Sequence, residues 1–347
     1  MTDNKNTIIA IVLSAIVLLG WQYFIGMPQM ERQRQEALLK QQQSQQAPGQ
    51  PAPAPGQPGA PPTPGQSTAP VPPGTTVPGT ATPAGVQTQT RANVLAATPR
   101  IAVETPRVRG SIALKGARID DLALIAYRET VNPTSPPIVL LSPSGTEHPF
   151  YAEFGWVRGA GSTAKLPDAD TVWRQEGTGP LTPARPVILT FDNGEGLTFR
   201  RILSVDDKYL FTAKDEVTNN ATEPATLFPY ALISRHGTPK TEGFYILHEG
   251  FIGVLGEQGL KEESYKTVEE KKAIAFTATN GWLGITDKYW AATLLPDAAA
   301  KLNARFSSGL AGTTRTYQTD YLLDPQTIAP GATGAAVMRL FAGAKEV

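Results

Sequence analysis

The stretch "PVILTFDNGEGLTFRRILSVDDKYLFTAKDEVTN", residues 186–219, decides the fold. Its Asn193-Gly194 pair supplies the positive φ angles of a tight connection, so the runs on either side predict a β-hairpin. A second turn at residues 206–208 leads into a third run in which alternate side chains are apolar. Together these signals predict a meander of long antiparallel strands with one buried face.

Short β-rich runs separated by turns continue through residues 93–347, and this length suits one large domain. We therefore predict a mainly β domain, a large antiparallel two-sheet sandwich. The absence of a repeat of fixed period argues against a propeller or a solenoid. The best helix candidate inside the domain is "DAAAKLNARF", residues 297–306, with Asp297 as its N-cap.

The N-terminal run "TIIAIVLSAIVLLGWQYFI", residues 7–25, has about the length that crosses a bilayer as a helix. We predict an uncleaved transmembrane anchor over residues 1–26. The alternative is a signal peptide, which has a shorter apolar region and a small-residue cleavage site. Basic residues on both sides of the span, such as Lys5 and Arg32, leave its orientation open.

Two segments of different composition follow the anchor. Residues 27–46 are rich in polar helix formers and predict a solvated juxtamembrane helix. Residues 47–92 consist mostly of Pro, Gly, Ala, Thr and Gln, which cannot bury enough surface to offset their ordering entropy, so we predict a disordered linker. A proline-rich ligand for an SH3-like module is the alternative, but no basic residue flanks the prolines.

Residue types that carry chemistry do not form a recognisable pattern. The chain has 31 basic and 31 acidic residues and no cysteine, so its charge does not indicate a nucleic-acid partner. The three histidines, His148, His236 and His248, are scattered over different predicted elements, and neighbours such as His248 and Glu249 point to opposite faces of a strand. We predict no catalytic, cofactor-binding or metal-binding residues, no cofactor, and no enzymatic activity.

Two further charged features have ordinary structural explanations. The acidic pairs at 120–121 and 206–207 lie in predicted turns, where carboxylates cap the backbone. The mixed-charge run "KEESYKTVEEKK", residues 261–272, predicts a solvated loop or a strand edge whose lysines discourage edge-to-edge pairing. A protein-binding edge is the alternative for this run.

The aromatic stretch "NGWLGITDKYWAATLLP", residues 280–296, predicts two short strands joined at Asp287-Lys288. We expect its aromatic side chains, Trp282, Tyr289 and Trp290, to be buried at the junction of two sheets. A ligand platform and a membrane-dipping patch are the less favoured alternatives.

Several ordered blocks resemble the YidC family of membrane-protein insertases of Gram-negative bacteria. They are "MTDNKNTIIAIVLSAIVLLGWQYFIGMPQMERQRQ" at the N-terminus, "GLTFRRILSVDDKYLFTAKDEVTNNAT" in the central strand pair, "GVLGEQGLKEESY" and "GWLGITDKYWAATLLP" further on, and "IAPGATGAAVMRLFAGAKEV" at the end. The resemblance covers most of the chain outside the proline-rich linker.

This resemblance implies a location and partners. It implies a cytoplasmic N-terminus, one helix through the bacterial inner membrane at residues 7–26, and from about residue 27 a periplasmic chain ending in a β-supersandwich similar to galactose mutarotases. Implied partners are the SecYEG translocon with SecD and SecF, nascent inner-membrane proteins, and the lipid bilayer, with no nucleic acid. Members of the family continue into five further transmembrane helices, which insert the substrate protein into the bilayer. We expect these helices beyond Val347.

A membrane-anchored sugar-binding or mutarotase-like protein is the alternative function. Mutarotation requires a general acid and a general base that face one sugar ring, typically a His and a Glu in a cleft. The two readings differ in whether the structure brings such a pair together.

Overall fold

The computed structural model describes residues 77–79, 88–241 and 247–346. The predicted anchor, the predicted juxtamembrane helix and most of the predicted linker lie outside these residues. Among the described residues, no helix combines the length and the apolar character needed to cross a bilayer.

The described strands form two antiparallel sheets, which confirms the predicted mainly β sandwich. One sheet has the order β1 (Arg100–Glu104), β2 (Val108–Ala113), β3 (Ile119–Arg128), β5 (Phe150–Arg158), β10 (Ala225–His236), β17 (Thr314–Leu323), β16 (Lys301–Ala311) and β13 (Ala273–Thr279), with β4 (Pro137–Leu141) beside β3 and β18 (Gln326–Ile328) beside β10. We call it the ten-stranded sheet.

The second, nine-stranded sheet has the order β12 (Leu260–Glu263), β11 (Gly250–Leu255), β14 (Gly281–Thr286), β15 (Trp290–Pro296), β19 (Thr333–Ala344), β9 (Leu210–Asn219), β8 (Leu197–Val205), β7 (Val187–Asp192) and β6 (Arg174–Glu176). The helices among the described residues are short: α1 (Arg91–Ala96), α2 (Tyr265–Lys271) and a 3-10 turn at Gly256–Gln258.

The meander predicted from residues 186–219 is present as β7, β8 and β9. In β8 every second side chain from Leu197 to Val205 is buried, as one-sided burial requires. Gly194 has φ 73° in the first turn, and Asn193 Oδ1 accepts a hydrogen bond of 2.9 Å from the Leu197 amide. In the second turn Asp206 Oδ1 accepts from the Leu210 amide at 2.8 Å, so this predicted acidic turn is also confirmed.

The core lies between the sheets and contains a fully buried charged link. Arg201 of β8 and Asp215 of β9 are cross-strand partners joined by two hydrogen bonds of 2.6 and 2.7 Å. Arg201 Nη2 also donates to the Phe154 carbonyl of the other sheet at 2.7 Å, and the Arg201 side chain is 1% exposed. Full pairing offsets the cost of removing these charges from water, and the arrangement fixes one sheet against the other.

The predicted helix at residues 297–306 is wrong, because β16 occupies most of that range. Leu302, Ala304 and Phe306 are buried alternately, and β16 pairs with β17 on one side and β13 on the other. Hydrogen bonding to two neighbouring strands outweighs the helix propensity of the alanines. Asp297 precedes the strand, and its carboxylate accepts from Arg339 at 2.8 Å.

The predicted turn at Asp120 and Asp121 is also wrong. Both residues lie in β3 and are buried, with Asp120 paired to Arg100 of β1 and Asp121 to Arg91 of α1. Burial raises the pKa of Asp120, against the opposing effect of Arg100. Basic partners that are distant in sequence allow two consecutive carboxylates to be placed inside a sheet.

The aromatic stretch forms the two predicted strands, β14 and β15, but its aromatic side chains are not the buried ones. Tyr289 is 55% exposed in the turn, and both tryptophans are half-buried. The core residues here are aliphatic, such as Leu283 and Leu294, which are cross-strand partners. Because the aromatic residues fall at the strand ends and the turn, they lie at the margin of the core.

Candidate interaction face

The side of the ten-stranded sheet that points away from the second sheet carries a continuous set of buried side chains, which we call the outer face. Strand alternation separates it from the core, since Ala231 and Ile233 of β10 pack between the sheets whereas Tyr230 and Leu232 do not. Its buried members come from three adjacent strands: Tyr151 and Glu153 of β5; Tyr230, Leu232, Ser234 and His236 of β10; and Thr316, Gln318, Asp320 and Leu322 of β17.

An apolar cluster occupies one part of the outer face. Tyr151, Tyr230, Leu232 and Leu322 pack together, and Val77 from the predicted linker belongs to the same cluster with 5% of its surface exposed. This part of the outer face is therefore covered by a segment far away in the sequence.

A charged group lies beside the apolar cluster. Glu153 accepts a hydrogen bond from Arg118 Nε at 2.6 Å and another from the Tyr230 hydroxyl at 2.6 Å. The Arg118 guanidinium also lies 4.5 Å from the centre of the Tyr151 ring. Burial, and secondly the Glu153 carboxylate, raise the pKa of Tyr230 well above its ordinary value, so its hydroxyl stays a donor.

A second carboxylate lies towards β16. Asp320 Oδ2 accepts from Gln318 Nε2 at 2.8 Å and from Arg305 Nη2 at 3.0 Å. Burial raises the pKa of Asp320 despite the nearby Arg305. Both outer-face carboxylates are thus engaged by arginines from neighbouring segments.

Three buried polar atoms on the neighbouring rows of the outer face have no hydrogen-bond partner among the described residues. They are Ser234 Oγ, His236 Nε2 and Gln318 Oε1. Ser234 lies opposite Gln318 in the register of β10 and β17, and His236 lies opposite Thr316. Burial, and secondly the charge of Arg118, lower the pKa of His236 to about 4, so its imidazole is neutral at pH 7. Buried polar atoms in proteins are nearly always paired with protein groups or ordered water, so these three atoms mark a place where water or a ligand contributes polar groups.

The histidines do not converge on a carboxylate in an arrangement suited to sugar chemistry. Glu153 lies opposite Leu232, four residues from His236 along β10, which corresponds to roughly 13 Å. The Glu153 carboxylate also accepts a hydrogen bond from the Tyr230 hydroxyl, and Tyr230 lies further from His236 along β10 than Leu232 does. His148 is exposed beside Glu147, and His248 Nε2 lies 2.7 Å from the Phe251 carbonyl. Within the described ranges, no group of three acidic or histidine side chains could hold a metal ion.

The mixed-charge run forms the start of a second surface, residues 260–279, which we call the edge region. It contains β12, an edge strand of the nine-stranded sheet, then α2, and then β13, an edge strand of the ten-stranded sheet. Ser264 Oγ caps α2 by accepting from the Thr267 amide at 3.1 Å. The predicted strand edge is therefore confirmed at Lys261, whereas Lys271 lies at the end of a helix.

The outer face was missed by sequence reasoning. The run "YALISRH", residues 230–236, reads as an ordinary strand, and its polar members do not reveal that they are buried. The only sequence signal is that Tyr230 and Leu232 are apolar as well as their neighbours Ala231 and Ile233. Apolar residues at consecutive positions indicate a strand that is buried on both faces.

The two antiparallel sheets and their partly covered outer face define a β-supersandwich domain. A family model described as the YidC periplasmic domain matches residues 100–347. The chain belongs to this family, which confirms the resemblance found in the sequence.

Curated relatives agree with this family. A protein of Bradyrhizobium diazoefficiens, named membrane protein insertase YidC, is 58% identical over 349 residues, which cover 100% of this chain and 54% of the relative. A protein of the same name from Rhizobium meliloti is 41% identical and covers 100% of this chain and 55% of the relative. The chain thus spans about half the length of these relatives.

Solved structures resemble this fold more distantly. A galactose mutarotase-like protein from Lactobacillus casei has a TM-score of 0.45 and 12% identity, covering 70% of this chain and 100% of that protein. A putative aldose 1-epimerase from Escherichia coli has a TM-score of 0.40 and 8% identity, covering 71% and 99%.

Proposed function

We propose that this chain is the membrane anchor and periplasmic interaction domain of a YidC-type insertase, which assists insertion and folding of inner-membrane proteins beside the Sec translocon. The observation that carries the proposal is the match of the family model over residues 100–347. Relatives that are named membrane protein insertases and extend to nearly twice this length support it. Insertion itself would belong to the part of those proteins that this chain does not cover.

The proposed topology follows from the same family. Residues 7–26 would cross the inner membrane from a cytoplasmic N-terminus, and the domain would lie in the periplasm. The domain would act by binding other proteins and not as an enzyme. The wide separation of Glu153 and His236 on the outer face supports a binding role over a mutarotase-like one.

We propose the edge region as the docking surface for SecD, SecF or SecYEG. A sheet edge presents unpaired backbone groups that can pair with a strand of a partner. Both sheets end here, within 20 consecutive residues, and Leu260, which precedes the charged run, is 57% exposed. The charged side chains that follow that leucine, from Lys261 to Glu263, would form a polar rim of a contact.

Photo-crosslinking in membranes tests this docking. A photoreactive amino acid at Lys261 or Lys271 is expected to trap a Sec subunit, because both positions lie in the edge region. Val131 is the matched control, since it is fully exposed (104%) in the connection between β3 and β4. Trapping of Sec subunits would also place the domain on the periplasmic side.

The docking proposal would be rejected if Lys261 and Lys271 trapped no more Sec subunit than Val131. If a scan of the remaining domain surface also trapped none, the translocon partnership itself would be wrong.

A further inference from the structure

The segment Val77–Gly79 lies on the outer face although it belongs to the proline-rich part of the chain. Val77 is 5% exposed and packs with Tyr151, Tyr230, Leu232 and Leu322. These four side chains come from three adjacent strands, so the pocket that holds Val77 is built by the folded sheet. Val77 thus occupies a preformed apolar site, as a ligand side chain would.

Backbone contacts continue from the pocket along the segment. Gln318 Nε2 donates a hydrogen bond of 3.1 Å to the carbonyl oxygen of Pro78. The same amide nitrogen is oriented by Asp320 at 2.8 Å, which in turn contacts Arg305. Proline has no amide hydrogen, so Pro78 brings no unsatisfied donor into this site, and its restricted φ lowers the entropy lost on docking.

A groove on the outer face lies beside Gly79. A cavity of about 260 Å³ lies there, over the neighbouring strands β16 and β17. Its lining includes Gly79, Arg305, Ser307, Gly309, Thr316 and Gln318. The groove therefore adjoins the docked segment and has polar walls that can bind a peptide backbone.

The unpartnered atoms lie beside this same path. Ser234 Oγ and Gln318 Oε1 belong to directly paired residues, and Ser234 is also paired with Tyr151 of the Val77 pocket. Each of these residues is at least nine-tenths buried. Backbone amides and carbonyls of an extended peptide would supply the missing hydrogen bonds.

We propose that the outer face is a binding groove for an extended peptide that carries a small β-branched residue followed by Pro-Gly, and that Val77–Gly79 occupies it in cis. The apolar pocket selects the β-branched side chain, and the Gln318 side-chain amide donates a hydrogen bond to the carbonyl oxygen of the proline that follows. A peptide from another chain must displace this segment, because a tethered ligand acts at millimolar effective concentration. The inference does not depend on the Sec partnership proposed above.

The chain offers a matched control for this proposal. The Val-Pro dipeptide occurs twice in the proline-rich part, at Val71-Pro72 and at Val77-Pro78. Val71→Asp introduces the same charge in the same kind of sequence, six residues away. Only Val77→Asp places a carboxylate in the described apolar pocket, where the charge would lose its hydration.

The test measures binding of a fluorescent peptide, GTTVPGTAT (residues 74–82), to the complete chain in detergent micelles by anisotropy. We expect the Val77→Asp chain to bind it at least tenfold more tightly than the wild type or Val71→Asp, because its groove is vacated. Adding Gln318→Leu to Val77→Asp should weaken binding at least threefold. A peptide with aspartate in place of its valine should not bind.

Equal binding to the Val77→Asp and Val71→Asp chains would overturn cis occupancy. Failure of the Val77→Asp chain to bind the peptide at millimolar concentration would overturn the groove as a peptide site. The milder Val77→Ala and a cooperative thermal transition keep the test valid if the aspartate variant unfolds. In that case Val77→Ala must bind the peptide more tightly than wild type, and equal binding would again reject the proposal.

Discussion

The outer faces of the two sheets differ although each carries an arginine–glutamate pair. On the nine-stranded sheet Arg200 and Glu216 meet at 2.9 Å with side chains 36% and 22% exposed. On the ten-stranded sheet Arg118 and Glu153 meet at 2.6 Å with side chains 19% and 7% exposed. The outer face of the nine-stranded sheet thus presents solvated polar residues, as one-sided antiparallel sheets commonly do. The outer face of the ten-stranded sheet presents buried polar and apolar side chains.

This difference in the exposure of the two ion pairs points to the outer face of the ten-stranded sheet as the place to look for a binding site. A solvated pair is screened and contributes little, so its replacement changes little else. A buried pair has lost its hydration and is maintained only by complete pairing. The ten-stranded sheet therefore carries polar groups that are costly for stability unless they are fully paired.

The largest effect is expected from Glu153→Ala. The substitution removes the partner of both Arg118 and the Tyr230 hydroxyl, and leaving a buried charge unpaired costs about 3–5 kcal/mol of unfolding free energy. Urea unfolding followed by circular dichroism measures this value. A loss below about 1 kcal/mol would show that the outer face is hydrated in solution and would remove the contrast between the two faces.

An intermediate effect is expected from pH through His236. Its pKa is lowered from 6.5 to about 4 in the folded protein, so between these values the unfolded chain binds the proton more readily. Stability should therefore fall as the pH decreases below 6.5, by up to about 2 kcal/mol between pH 7.5 and 5.

The control for this pH effect is His236→Gln, which cannot take up the proton. We expect its unfolding free energy to fall less than that of the wild type over the same pH interval. Parallel pH profiles for the two proteins would show that His236 is solvated and not buried on the outer face.

The smallest effect is expected from Glu216→Ala on the nine-stranded sheet. Arg200 remains partly exposed after the substitution and regains water, so the unfolding free energy should change by no more than about 1 kcal/mol. Urea unfolding at low and at high salt measures it. A loss as large as that for Glu153→Ala would mean that the two faces are equivalent.

Local signals predicted much of the fold because they depend on neighbours in the chain. The alternation in β8 and the turn residues at Asn193 and Asp206 specify strands and connections without distant partners. The same reasoning failed at residues 297–306, where the alanines favour a helix but β13 and β17 enclose the segment. It also failed at Asp120 and Asp121, whose arginine partners are 20 and 30 residues away.

The candidate site was less predictable than the fold. Ser234, His236 and Gln318 lie on two strands about 80 residues apart, and only the pairing of β10 with β17 places them side by side. No spacing rule for catalytic or metal motifs applies to residues joined in this way. The docking of Val77 was unpredictable for the same reason, since a single valine in a proline-rich segment does not specify the sheet against which it packs.

The sequence by itself determined the family, the antiparallel meander and the absence of a recognisable catalytic motif, because each of these is written in the order and periodicity of neighbouring residues. Only the tertiary structure decided which sheet face is buried, which charges lose their water, and where Val77–Gly79 docks. The physical reason is that burial depends on what packs against a residue, and these contacts join segments that are far apart in the chain.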